Sequence, residues 1–159
     1  MTRWLALVFV VVAGCAQADS AAVRLKPAQE ATLQILKRHR ELVHFRAEAE
    51  KVLEKPSEVA AVWTRYGDEL ERLDLSACPA AFRVAFRRHA RACRDVEAAI
   101  GEFPDGFADG VVVGFLNGLG GEADGGHGRL QRDLHAAWKQ GAATYDDVER
   151  IALSHDVAL

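Results

Sequence analysis

Two side chains four residues apart on a helix lie on one face and can share a metal ion. His89 and Cys93 have this spacing. They also continue an apolar row with Phe86 and Val96, where a cysteine acts as a small hydrophobe, and no further ligands are marked nearby. The expectation is therefore two core side chains and no metal or cofactor. Glu122, Asp124 and His127 lie in the glycine run 120–128, but their spacing does not match the EF-hand loop. His39, His44, His135 and His155 make no recognisable pair with a nucleophile, and GxSxG, HExxH, P-loop and CxxCH are all absent. No enzyme is expected.

Arg83, Arg87, Arg91 and Arg94, joined by Arg88, form a row that could hold anionic head groups or an acidic partner. The plainer expectation pairs them with Asp68, Glu69, Glu71 and Asp74 of the preceding segment, or leaves them solvated. Residues 95–126 hold seven acids and no base, so charge is segregated along the chain. Gly106, Gly110, Gly114 and Gly118 recur every fourth residue, a spacing that lets a second backbone approach one helix face closely. Pro104 to Leu119 is shorter than a membrane span and is interrupted by Asp109 and Asn117. A tightly packed core helix is expected there, with self-association or insertion in the membrane as the alternative.

Helical periodicity runs through almost all the segments that must position these groups. Ala28, Ala31, Ile35, Leu42, Phe45, Ala49 and Val52 predict a helix from Pro27 to Lys55, interrupted once by Arg38. Val59, Val62, Trp63, Tyr66, Leu70 and Leu73 predict a second after Pro56-Ser57. Phe82, Phe86, His89, Cys93, Val96 and Ile100 form the cleanest stripe, beginning after Pro79 and ending near Gly101. Beyond the glycine-rich segment 101–128, a short helix is predicted from Arg129 to Gln140, presenting Leu130, Leu134 and Trp138. A last one is predicted after Thr144 as cap, burying Val148, Ile151 and Ala152. No strand alternation competes. The expected fold is all-α, a bundle of about five or six helices formed by residues 27–159 as one domain.

The first residues belong to a different system. Met1-Thr2-Arg3 is followed by nine apolar residues, too few to span a bilayer, and then by a small-residue exit, the layout of a secretory signal. The exit, Val12-Ala13-Gly14-Cys15, resembles the lipobox of bacterial lipoproteins. That resemblance implies removal of residues 1–14 and acylation of Cys15. It also implies a tether over 15–26 and a place on the periplasmic side of the outer membrane, because Ala16 follows the cysteine. Ala16-Gln17-Ala18 is a second, ordinary cleavage site, which would instead release a soluble periplasmic or secreted chain.

Without residues 1–14 the chain carries 19 basic and 23 acidic residues, which does not suit nucleic acid. Cys78 and Cys93 are expected as free buried thiols. If one helix runs through both, 15 residues separate them by about 22 Å, whereas a disulfide tolerates roughly 7 Å. The expected role is structural or binding at the envelope, with the membrane as partner and a protein or a second copy as a further one. A glycine-zipper protein is the alternative. A periplasmic metal-binding or redox protein using His89, Cys93 and Cys78 is a more distant one.

Overall fold

The computed structural model describes residues 25–53, 55–104 and 128–158. Four helices fill these segments: α1 (Pro27–Glu50), α2 (Pro56–Arg72), α3 (Ala80–Gly101) and α4 (Gly128–Ser154). No strand occurs among the described residues. The architecture is an all-α bundle. Cys15, the four glycines at 106–118 and the acidic loop around Glu122 fall outside the described residues.

Two helices begin at a proline, whose missing N–H costs nothing at the first helical position: Pro27 in α1 and Pro56 in α2. At the start of α1, Gln29 Oε1 also reaches back to accept from the Lys26 N–H at 2.8 Å. The short connections α1–α2 and α2–α3 make sequential helices antiparallel neighbours, and α3 packs against both α2 and α4. The far end of α4 is tied to the beginning of α1 by Gln29 Nε2 donating to the His155 carbonyl at 2.9 Å. It closes with Asp156 in a left-handed conformation, φ 60°. The Val157 N–H then bonds back to the Ala152 carbonyl and the Asp156 N–H to that of Leu153. This is a Schellman motif, which satisfies carbonyls the helix end would leave without partners. Val157 is buried.

The core stripes expected for α2 and α3 are present: Val59, Trp63, Tyr66 and Leu70 are buried, and so are Phe82, Phe86, His89, Cys93, Val96 and Ile100. Among the described residues, Cys78 and Cys93 are free and buried.

Two expectations are corrected. The separate helices predicted at Arg129–Gln140 and after Thr144 are one continuous α4, so four helices rather than five or six are seen among the described residues. Gly141 does not break it, since one interior glycine costs only about 1 kcal/mol. Thr144 is not a cap. Its hydroxyl donates to the carbonyls of Gln140 at 3.0 Å and Gly141 at 2.8 Å, within the helix.

The inner face of α1 is also not the predicted one. The helix stops at Glu50, short of Lys55, and Phe45 and Val52 are 46% and 78% exposed. Thr32, Ile35, Leu36, His39 and Leu42 are buried instead. The same face continues into Arg46 and Glu50, so it turns from apolar to polar in its last two turns. Phe45 lies outside and is covered by the Arg65 guanidinium, 4.9 Å from its ring centroid.

Candidate functional site

All four helices contribute to one cavity of about 350 Å³. It is lined by His39, Arg40, Val43 and Arg46 of α1, Trp63 and Tyr66 of α2, His89, Cys93 and Val96 of α3, and Trp138, Gly141, Ala142, Tyr145 and Glu149 of α4. Its size lies at the lower end of the range for small-molecule sites, roughly 300–1,000 Å³.

At one side His39 and His89, fifty residues apart, bring their Nε2 atoms to 3.0 Å. The proton positions follow from their partners. The Gly141 carbonyl only accepts, so His89 Nδ1, 3.2 Å away, carries the hydrogen. Thr144 Oγ1, at 3.3 Å, receives from the same N–H. His89 Nε2 is then an acceptor, and the facing His39 Nε2 must be the donor. Tyr66 Oη lies 2.9 Å from His39 Nε2 and accepts there, leaving its hydroxyl to donate to the Cys93 sulfur. Cys93 Sγ lies 3.7 Å from His89 Nε2, closing the set. With its hydrogen on Nε2, His39 keeps a bare Nδ1, and this atom is buried without a hydrogen-bond partner.

Burial dominates the ionisation of these groups. It holds His39 down at about 3, aided by the fields of His89 and Arg46, and His89 at about 4, where the bond to Gly141 works in the opposite direction. Burial also pushes the Cys93 thiol up to about 12 and the Tyr66 hydroxyl well above its ordinary value. At neutral pH the cluster is uncharged, with neutral imidazoles and a protonated thiol. It holds no thiolate nucleophile. Among the described residues, no three His, Cys, Asp or Glu side chains are grouped to hold a metal ion. Cys78 lies elsewhere, near Thr32 and Arg83.

The other side of the cavity is aromatic and charged. The Arg46 guanidinium sits 4.2 Å from the Trp63 ring centroid and 5.5 Å from that of Trp138, positions that suit cation–π attraction. Trp63 Nε1 donates to Glu50 Oε1 at 2.6 Å, and Arg46 Nε lies 3.8 Å from the same oxygen. Tyr145 stacks on His39 with centroids 4.4 Å apart. Its hydroxyl is pushed up to about 12, first by burial and then by Glu149.

The arginine row divides among several neighbours. Arg94 bonds to Asp68, Glu71 and Glu97 and to the Thr64 carbonyl, and these carboxylates hold its guanidinium pKa above the usual value. Arg83 donates to the carbonyls of Cys78 at 3.0 Å and Ser76 at 3.4 Å. Arg88 approaches Asp147 of α4 at 3.9 Å. Arg87 and Arg91 are exposed and border a separate hollow with Leu70, Leu73 and Leu75.

Sequence reasoning singled out His89 and Cys93 but missed His39, Arg46, Trp138 and Tyr145 as their companions. A signal existed for the first two. Residues 32, 35, 39, 42, 46 and 50 follow one helical stripe, which apolarity alone does not mark. Comparison with protein-family models, curated proteins and solved structures finds no match for this chain.

Proposed function

We propose that this protein is a binding lipoprotein of the bacterial cell envelope, anchored through Cys15 and taking a small, largely apolar molecule into the bundle. The cavity is the observation that carries the binding half. Trp63 and Tyr66 of α2 and Trp138 and Tyr145 of α4 make aromatic walls around a few fixed polar groups, the usual composition of a small-molecule site. Burial keeps the cavity's thiol protonated and its two imidazoles neutral, which supports a binding role. The anchor half rests on Val12-Ala13-Gly14-Cys15. The short tether after Cys15 then keeps the start of α1 near the membrane surface, where apolar molecules concentrate. No described helix is long and apolar enough to cross a membrane.

Each half has its own test. Produced in a lipoprotein-competent bacterium, the mature protein is expected to have the mass of residues 15–159 plus acyl chains; an unmodified chain starting at Asp19 refutes the anchor. Trp4 departs with the signal, so the two remaining tryptophans, Trp63 and Trp138, both line the cavity. A panel of small apolar compounds is expected to include one that shifts their emission saturably at one per chain. Unchanged emission across the panel would remove the binding role.

A further inference from the structure

Arg46 has an incomplete set of partners in a place where a guanidinium ordinarily needs a full one. Its side chain is only 12% exposed, and its Nε is buried with no hydrogen-bond partner. Glu50, its ion-pair partner among the described residues, stands at 3.8 Å, beyond hydrogen-bond range. The nearer Glu50 oxygen is already taken by Trp63 Nε1. Burial also pushes the Glu50 carboxyl up, which weakens it as a countercharge. A buried charge whose partner is distant leaves part of its desolvation cost uncompensated, and an arginine is suited to receiving a carboxylate in bidentate fashion.

The cavity's other carboxylate, Glu149, hydrogen-bonds to Tyr145, while the ion-pair partner of Arg46 among the described residues is Glu50. His39, His89, Cys93 and Tyr66 are neutral at pH 7, while Arg40 and Glu149 bring charges of opposite sign. Arg46 influences the ionisation of all four neutral groups and of Glu50. Most of the wall is therefore apolar or neutral, Arg40 and Glu149 carry opposite charges, and Arg46 is the buried cation there without a close carboxylate.

We infer that the cavity selects a monocarboxylate with an apolar body, the body lying against Trp138, Tyr145 and Val96 and the carboxylate meeting Arg46. The inference rests on the binding role proposed above and narrows it to one head-group chemistry. A fatty acid and an aryl acid share that chemistry, and chain-length or ring variants of the ligand tell them apart.

The test uses the mature chain from Ala16, which lacks Trp4 and takes no acyl chain that could compete for the cavity. Octanoate, 1-octanol and octylammonium share one apolar body with anionic, neutral and cationic heads, and none absorbs where tryptophan is excited. Calorimetric titration at pH 7.5 is expected to show octanoate binding at least tenfold tighter than either of the others, with a matching change in tryptophan emission. In R46Q the preference for octanoate over octanol is expected to disappear. Octanol or octylammonium binding as tightly as octanoate would overturn the carboxylate assignment and leave the binding role standing. So would an R46Q protein that keeps the tenfold preference. No heat and no emission change with any of the three would overturn the binding role and this inference with it. The head-group series is read on the unsubstituted cavity, so it decides the matter even if R46Q fails to fold.

Discussion

Lowering the pH from 7.5 to 5.0 is expected to remove about 4 kcal/mol of stability through His39 and His89 alone. Both imidazoles are buried, at 3% and 5% exposure, and the fold holds them at about 3 and about 4, against 6.5 for a free side chain. The unfolded chain therefore takes up protons as pH falls through 6.5 while the folded chain does not. The stability these groups contribute is complete above 6.5 and is lost on acidification down to the folded values. At pH 5.0 each unfolded imidazole has gained about 2 kcal/mol relative to its folded form, at roughly 1.4 kcal/mol per pH unit. Two such groups amount to a large share of the 5–15 kcal/mol typical of a whole domain. Glu50 acts with the opposite sign, because its carboxyl is raised on folding and acid relieves that penalty. E50Q is therefore run in parallel. Asp68 and Asp74 are lowered by hydrogen bonds, from Arg94 and from Ser76 respectively, so their loss comes below about pH 4, outside the interval. Urea unfolding followed by far-ultraviolet circular dichroism measures the change, and H39L should cut the histidine part to about half. A stability that differs by less than 1 kcal/mol between pH 7.5 and 5.0, in both the parent and E50Q, would refute the claim that the two rings are sealed from water and held neutral.

Other substitutions probe the bundle around the site. F86A removes a ring with 0% exposure and is expected to cost about 3–5 kcal/mol in urea unfolding. G141A should stabilise by about 0.5–1 kcal/mol, because the added methyl meets only Val96 Cγ2 at an ordinary 3.9 Å; a lower midpoint would show that α4 is tighter there than it looks. G67A gains the same helix preference but places its methyl 2.9 Å from the Arg94 guanidinium. It should therefore stabilise less in the parent than in R94A, and equal effects in the two backgrounds would mean the arginine moves aside freely. W63F takes the donor away from the buried Glu50 carboxylate and should destabilise by about 1–3 kcal/mol. E50Q is expected to recover part of that loss in the double variant, with thermal unfolding as the readout.

Local pattern was sufficient for the all-α class, for Pro27 and Pro56 at helix starts, and for the inner stripes of α2 and α3. Each of these depends on residues within a few turns of one another. The apolar side chains on those two stripes recur at helical spacing, and burying them leaves one orientation for each helix. The same kind of inference failed on α1 and α4 for definite reasons. Arg38 seemed to interrupt the α1 stripe because Thr32, His39, Arg46 and Glu50 were not counted as inward-facing. In isolation such residues belong in water; here Thr32 bonds back to the Ala28 carbonyl, and Glu50 receives the Trp63 N–H. Thr144 reads locally as a helix cap, yet packing against α3 carries α4 through both Gly141 and Thr144. Packing energy outweighs the small local preference.

The residues of the site were each visible in the chain, but their association was not. His89 and Cys93 share a face at helical spacing, so sequence alone put them together. That His39 from α1 and the Gly141 carbonyl from α4 meet the His89 ring, with Tyr66 from α2 on His39, is a consequence of how four helices pack. The protonation states follow from that convergence, since it is burial that keeps the imidazoles neutral and the thiol protonated. Types and periods along the chain determine which helices form and which faces turn inward; only their assembly sets the distances of about 3 Å and the exclusion of water that give those inward faces their chemistry.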